Sequence, residues 1–364
     1  MKTIRCTTKT LAFLILIPII FFSCKKDTAS KAPDPVPVVT IKDVYAVGNE
    51  ESATGFDIAM IWKNGVATSL SADGDDAYAE SVFVSGNDVY VSGEKFINGR
   101  ATGSYYPIPM LWKNGIEVPI SNSTDTVWGS ASSVCVSGSD VYVAVQVDSD
   151  YNQTTATIRL YKNGVGTDIS GDHANLYSMF VSGSDVYISG TEFNLATLRY
   201  ESKLWKNGIP TFINPNTSGN DEASHVFVTG NDVYLVGRMI TALPASYATV
   251  WKNGVASYLT DGTRSAWATS VYVSGTDVYV AGNEYPASGE SIPKFWKNGI
   301  ATDLTDGTHA ATAASIFVSG TDVYVAGIET IAAGQVATIW KNGVATHLTN
   351  STQAWANSVL VTSQ

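Results

Sequence analysis

One pair of phrases recurs from end to end of the chain and limits the possible folds more than any other feature. It is an Asp-Val-Tyr triplet followed further on by an aromatic-Lys-Asn-Gly tetrad. The aspartates fall at positions 43, 88, 140, 185, 232, 277 and 322, and the tetrads open with Trp62, Trp112, Tyr161, Trp205, Trp251, Trp296 and Trp340. Successive copies are 44 to 52 residues apart. Such a period is the length of one four-stranded blade of a β-propeller.

The sixth copy shows the reading most clearly. Ser270–Ser274 and Asp277–Ala281 flank Gly275-Thr276 and predict a hairpin of strands A and B. Strands C and D follow at 293–297 and 300–304, joined through Asn298-Gly299, the strongest short hairpin signal. Val271 and Val273 face one side of strand A and Tyr272 the other, with Val278, Val280 and Tyr279 matching them on strand B. Both faces are therefore apolar, as a sheet wedged between two others requires.

Copy one lacks a strand A before Asp43. The far end of the chain supplies Ser358-Val-Leu-Val361, which matches that strand. The expected architecture is all-β: a seven-bladed β-propeller of four-stranded blades over residues 41–364, closed by the C-terminal strand pairing into the first blade. Closure would remove exposed sheet edges. The Trp-Lys-Asn-Gly-Val-Ala-Thr phrases at 62–68 and 340–346 resemble the repeats of bacterial extracellular repeat proteins. More loosely, they are similar to Kelch and other propeller repeats, a resemblance that implies architecture and no particular activity.

Residues 1–23 have a basic start and an apolar run, Leu11–Phe22, interrupted by Pro18 and too short to span a bilayer. The run ends in Phe21-Phe-Ser-Cys24, which resembles the lipobox of bacterial lipoproteins. That resemblance implies cleavage before Cys24, acylation there, and sorting to the outer membrane. A plain secretory signal is the other reading. Residues 24–40, with Pro33, Pro35 and Pro37, read as a tether. Cys135 alone lies in the body, so no intramolecular disulfide is available there. It stands where the other copies carry Phe83, Phe180, Phe227, Tyr272 and Phe317, and reads as a small core residue.

The net charge is −11, and removing Lys2, Arg5 and Lys9 with the leader takes it to −14. No basic patch is visible, which argues against nucleic-acid binding. The chain is read as a monomer that meets the membrane through its anchor only.

Turn lengths separate the two rims of the disc. The A–B and C–D turns are short and uniform, whereas the B–C and D–A connections vary, as in Glu94–Met110 with Tyr105 and Tyr106. Binding residues gather on loops held by a rigid frame, so the varied rim is the expected functional face. Tyr78, Trp128, Tyr177, Trp267 and Trp355 precede strand A and suggest a partial collar at the channel mouth, suited to stacking on sugars or to packing. His225 replaces a serine found in the six other copies and follows Asp221 and Glu222, a general-base or metal-ligand set on one reading and a channel-lining histidine on the other. Asp73, Asp75 and Asp76 offer oxygen ligands for Ca²⁺ or ordinary turn chemistry. No other cofactor is implied. The expected function is non-catalytic capture of a glycan or protein at the cell envelope. A polysaccharide lyase or glycosidase and a structural scaffold subunit are the alternatives.

Overall fold

The repeated phrases fold as they do because their turn residues accept backbone angles that most residues avoid. In all seven tetrads the Asn lies at φ 50–53° and the Gly at 78–83°, the pair of positive angles that a type I′ hairpin turn requires. In the A–B turns of six blades a glycine lies at φ 57–64°, leaving its successor unconstrained. Each Asn then does a second task. Its amide donates to the Asp of Asp-Val-Tyr at 2.7–3.0 Å. The Lys beside it pairs with the same carboxylate at 2.7–3.0 Å and lies 5.1–5.4 Å from the Tyr ring centroid. Asp, Tyr, Lys and Asn thus recur as one clasp fixing the register of strands B and C, and their repetition is structural.

The computed structural model describes residues 42–97, 106–122, 127–148, 155–213, 221–242, 245–287, 289–349 and 353–363. The leader, Cys24 and the tether lie outside them. Twenty-eight strands, numbered in chain order, form seven antiparallel four-stranded sheets among the described residues. The sheets follow the expected blades. β1 (Lys42–Glu51) receives β28 (Ala354–Ser363) along its free side, with Asp43 opposite Thr362 and Val47 opposite Ser358. The C-terminal strand therefore closes the first blade.

Between blades the gap is filled by the tetrad aromatic. Six tryptophans are at most 1% exposed and Tyr161 is 3% exposed. Each belongs to a seam cluster shared with the preceding blade; Trp251, for example, packs with Tyr187 and Ile213. Their indole N–H groups at Trp62, Trp112, Trp251 and Trp340 find no acceptor, so these rings act through volume rather than hydrogen bonding.

The inner strands run further than the sequence pattern suggests. In the sixth blade, β20 spans Ser265–Ser274, β21 Asp277–Tyr285, β22 Ile292–Lys297 and β23 Ile300–Asp303. The extra length of strand A contains a β-bulge, present in every blade. In six blades the bulge presses a carbonyl of strand A onto a glycine of strand B. In the fifth, a Cβ on Gly237 would meet the Glu222 carbonyl oxygen at 1.8 Å. Gly237→Ala is therefore expected to cost about 3 kcal/mol or more. Gly254→Ala, at φ +81° with open space around it, should cost only about 1 kcal/mol. Urea unfolding of the two variants side by side checks the difference.

Candidate functional site

The bulge decides what faces the centre. Side chains at the bulge and just after it line a central cavity of about 430 Å³ to which all seven blades contribute. Around it the bulge residues are Glu80, Ser132, Tyr177, Ser224, Thr269, Ala314 and Asn357. Further along strand A, Phe180, Phe227, Tyr272 and Phe317 stand in an arc with successive ring centroids 4.9, 5.0 and 4.6 Å apart. Cys135 continues the row as a buried thiol pushed up to about 12 by burial, so it is inert.

The expected collar of aromatics is redrawn by this geometry. The five residues occupy three different registers of strand A or its approach, not one ring. Tyr78, Trp267 and Trp355 lie before the bulge, Tyr177 on it, and Trp128 immediately ahead of its strand. Of the five, only Tyr177 lines the cavity. The cause is that strand A already includes most of these positions, and alternation along it aims neighbours apart. Tyr78 donates its hydroxyl to Asp57 at 2.8 Å and meets Phe96 edge-on. Tyr105 lies outside the described residues, and Tyr106 begins the strand Tyr106–Lys113.

The polar candidates diverge likewise. His225 lines the cavity and accepts the Val271 backbone N–H at Nδ1, 3.3 Å away. Ser270 and Ser315 do the same for the next blade at 3.2 and 3.3 Å, so His225 takes over a serine's inter-blade hydrogen bond. Burial lowers its pKa to about 4, leaving it neutral. Neither Asp221 nor Glu222 lines that cavity. Buried Asp221 accepts the Ile240 N–H at 2.9 Å, and Glu222 pairs with Arg238 at 2.8 Å. Among the acidic turn residues, Asp73 accepts the Thr54 and Ser52 hydroxyls at 2.6 and 2.9 Å, which hold its carboxyl below the usual range. Asp75 pairs with Lys95 at 3.0 Å, and Asp76 accepts the Asp57 N–H at 3.0 Å. The three are thus drawn to separate partners. Among the described residues no group of three His, Cys, Asp or Glu side chains gathers as a metal site.

What the structure does bring together lies on the varied rim of blades four to six. Arg238, on β17 (Asp232–Ala242), lies with its guanidinium 4.7 Å from the Trp267 ring centroid while pairing with Glu222. Trp267 donates its indole N–H to the Ser224 hydroxyl, so its ring is fixed in place. Tyr177 and Tyr285 both lie within reach of the Arg238 charge, and Tyr177 also senses Glu222 and Tyr200. Burial raises both phenols; a hydrogen bond with Thr191 and then Arg238 partly offset it at Tyr177, and Arg238 does so at Tyr285. Tyr200 and Tyr285 are each 41% exposed, and Phe193 links Tyr200 to His173 through edge contacts at 5.2 and 6.2 Å. Rings, a guanidinium and a carboxylate thus share one rim sector. Arg238, Tyr200 and Tyr285 escaped the sequence reading. Arg238 is nevertheless the sole cation in its register column, which otherwise reads Asn49, Glu94, Gln146, Thr191, Asn283 and Ile328.

No protein-family model matches the chain, and no curated protein matches it. Solved structures do resemble it in fold. The β-propeller domain of the Trilobed protease from Pyrococcus furiosus, described as having an open velcro topology, superposes with a TM-score of 0.51 at 9% identity, over 85% of this chain and 95% of that one. A puromycin-hydrolyzing peptidase from Mycobacterium tuberculosis gives a TM-score of 0.55 at 10% identity over 84% of this chain. This chain spans about half of that peptidase (51%). The likeness establishes the fold alone. Where the Pyrococcus domain is described as open, the present chain pairs its last strand with its first.

Proposed function

We propose that this chain is a non-catalytic binding module that captures a glycan on the varied rim of blades four to six. It would be held at the bacterial outer membrane by an acylated Cys24. The observation that carries the reading is the Arg238–Trp267 stack with Glu222 behind it and Tyr177, Tyr200 and Tyr285 around it. Flat rings whose orientation is already fixed suit the faces of sugar rings and lose little freedom on binding. A paired guanidinium and carboxylate supply fixed donors and acceptors for hydroxyls. Anchoring is supported by the apolar run and the Phe-Phe-Ser-Cys24 phrase. A lyase or glycosidase reading draws less support, because Glu222 and Asp221 are committed to Arg238 and to a backbone N–H away from the His225 cavity.

A glycan array probed with the purified protein tests the proposal. Trp267→Ala and Arg238→Ala are each expected to weaken any hit roughly tenfold or more, as loss of a central aromatic or Arg contact usually does. Binding that survives both substitutions unchanged would remove this sector from the account.

A further inference from the structure

The central cavity holds a group that no part of the rim reading uses. Glu80 projects from the bulge of β4 (Ala77–Ser85) into the cavity, where the other blades place Ser, Tyr, Ser, Thr, Ala and Asn. It forms no hydrogen bond and no ion pair. No Lys or Arg lines the cavity, and the one basic ring, His225, has its Nδ1 occupied in accepting the Val271 N–H and is left neutral by burial. The charge that acts on it is that of Glu94, on the adjacent strand β5 (Asp88–Ile97), and it repels. Glu94 itself feels Asp148 and the Ser130 hydroxyl from the third blade. Lys95 is committed to Asp75, and the Tyr78 hydroxyl to Asp57. A half-buried carboxylate lining a cavity without a counter-charge leaves its negative charge unbalanced there, and the fold supplies nothing to neutralise it.

We propose that the central cavity binds a small organic cation, with an ammonium group against Glu80 and an apolar body against Phe180, Phe227, Tyr272 and Phe317. At about 430 Å³ the cavity is within the ordinary range of small-molecule sites. A carboxylate and an arc of aromatic rings lining one cavity offer a counter-charge for the ammonium group and an apolar surface for the body that carries it. A hard divalent cation such as Ca²⁺ is held by several carboxylates among six or more oxygens, and the cavity lining offers one carboxylate. Ser132, Ser133 and Ser224 line the same cavity, and a serine hydroxyl can accept a remaining N–H donor.

The cavity's preference stands independently of what the rim captures, so a blank glycan array leaves it untouched. Calorimetric titration of the full-length protein at pH 8 with n-hexylamine, and in parallel with uncharged 1-hexanol, provides the test. Hexylamine is expected to bind saturably, and hexanol roughly tenfold more weakly, the effect of losing one charge-assisted contact. Glu80→Gln should reduce hexylamine binding by a similar factor, and Phe227→Ala should weaken both probes. Absence of saturable hexylamine binding, equal binding of the two probes, or a Glu80→Gln variant that binds like the parent would each overturn the proposal. The two-probe comparison needs no variant and so does not depend on how Glu80→Gln folds.

Discussion

Deleting residues 354–364 is expected to abolish cooperative folding rather than merely lower Tm. The deletion removes β28, whose Ala354, Ala356, Val359 and Val361 are buried in a seam cluster with Met60, Trp62 and Ile339. The two valines alone are worth about 3–6 kcal/mol of burial, against a total stability of about 5–15 kcal/mol for a typical domain. The loss does not end with that strand. β1 becomes an edge with an apolar stretch at Val44, Ala46 and Val47, and such edges pair with other chains. Circular dichroism melts together with size-exclusion chromatography should show a broad, early transition and soluble oligomers. A synthetic peptide of residues 353–364 added during refolding is expected to restore the sharp melt by occupying the vacant edge. A truncated chain that melts like the intact one would show that ring closure contributes little.

That closure was legible in the sequence because a whole strand is missing at one end and present at the other. The turns were legible for a similar reason: Asn-Gly and Gly-x place positive φ where few other residues go, and the angles at Asn298 and Gly275 are the ones those pairs imply. Strand A was misjudged because a bulge interrupts period-2 alternation, and residues before it, such as Trp267, then looked like loop. The glycines that admit the bulge, Gly237 among them, carried the missing signal.

The rim sector was hidden for another reason. Arg238 and Trp267 belong to neighbouring blades, and their meeting follows from how blades nest rather than from spacing within one repeat. Comparing register columns across the seven copies exposes both Arg238 and Glu80 as departures from their columns. His225 is a departure of the same kind, but it performs the serine's own task. A departure that merely takes over its column's task, as His225 does, carries no functional signal, whereas Arg238 gathers a new set of partners and Glu80 is left with none.

Glu80 should accordingly reveal itself as a pH-dependent weakness of the fold. Burial first, and Glu94 second, raise its pKa from 4.5 to about 7, so the folded chain prefers the neutral acid. In the unfolded chain the group ionises near 4.5. Between these values the folded state holds a proton that the unfolded state has released, and stability falls as pH rises. The penalty is nearly absent at pH 4, grows through pH 7, and levels off above pH 8 at roughly 3 kcal/mol. Glu80→Gln removes the charge while keeping the shape, and should raise Tm at pH 8 by roughly 5 °C. At pH 5 the change should be a fraction of that. His225 acts in the opposite sense: its pKa is lowered by burial to about 4, so its own penalty appears only as pH falls below about 6.5. The gain from Glu80→Gln must therefore widen with pH, and thermal melts of parent and variant from pH 5 to 8 provide the check. A gain independent of pH would mean that the carboxyl is solvated or paired. A bound ammonium ion should erase the difference at pH 8, because it would supply the missing counter-charge to the parent and find none in the variant.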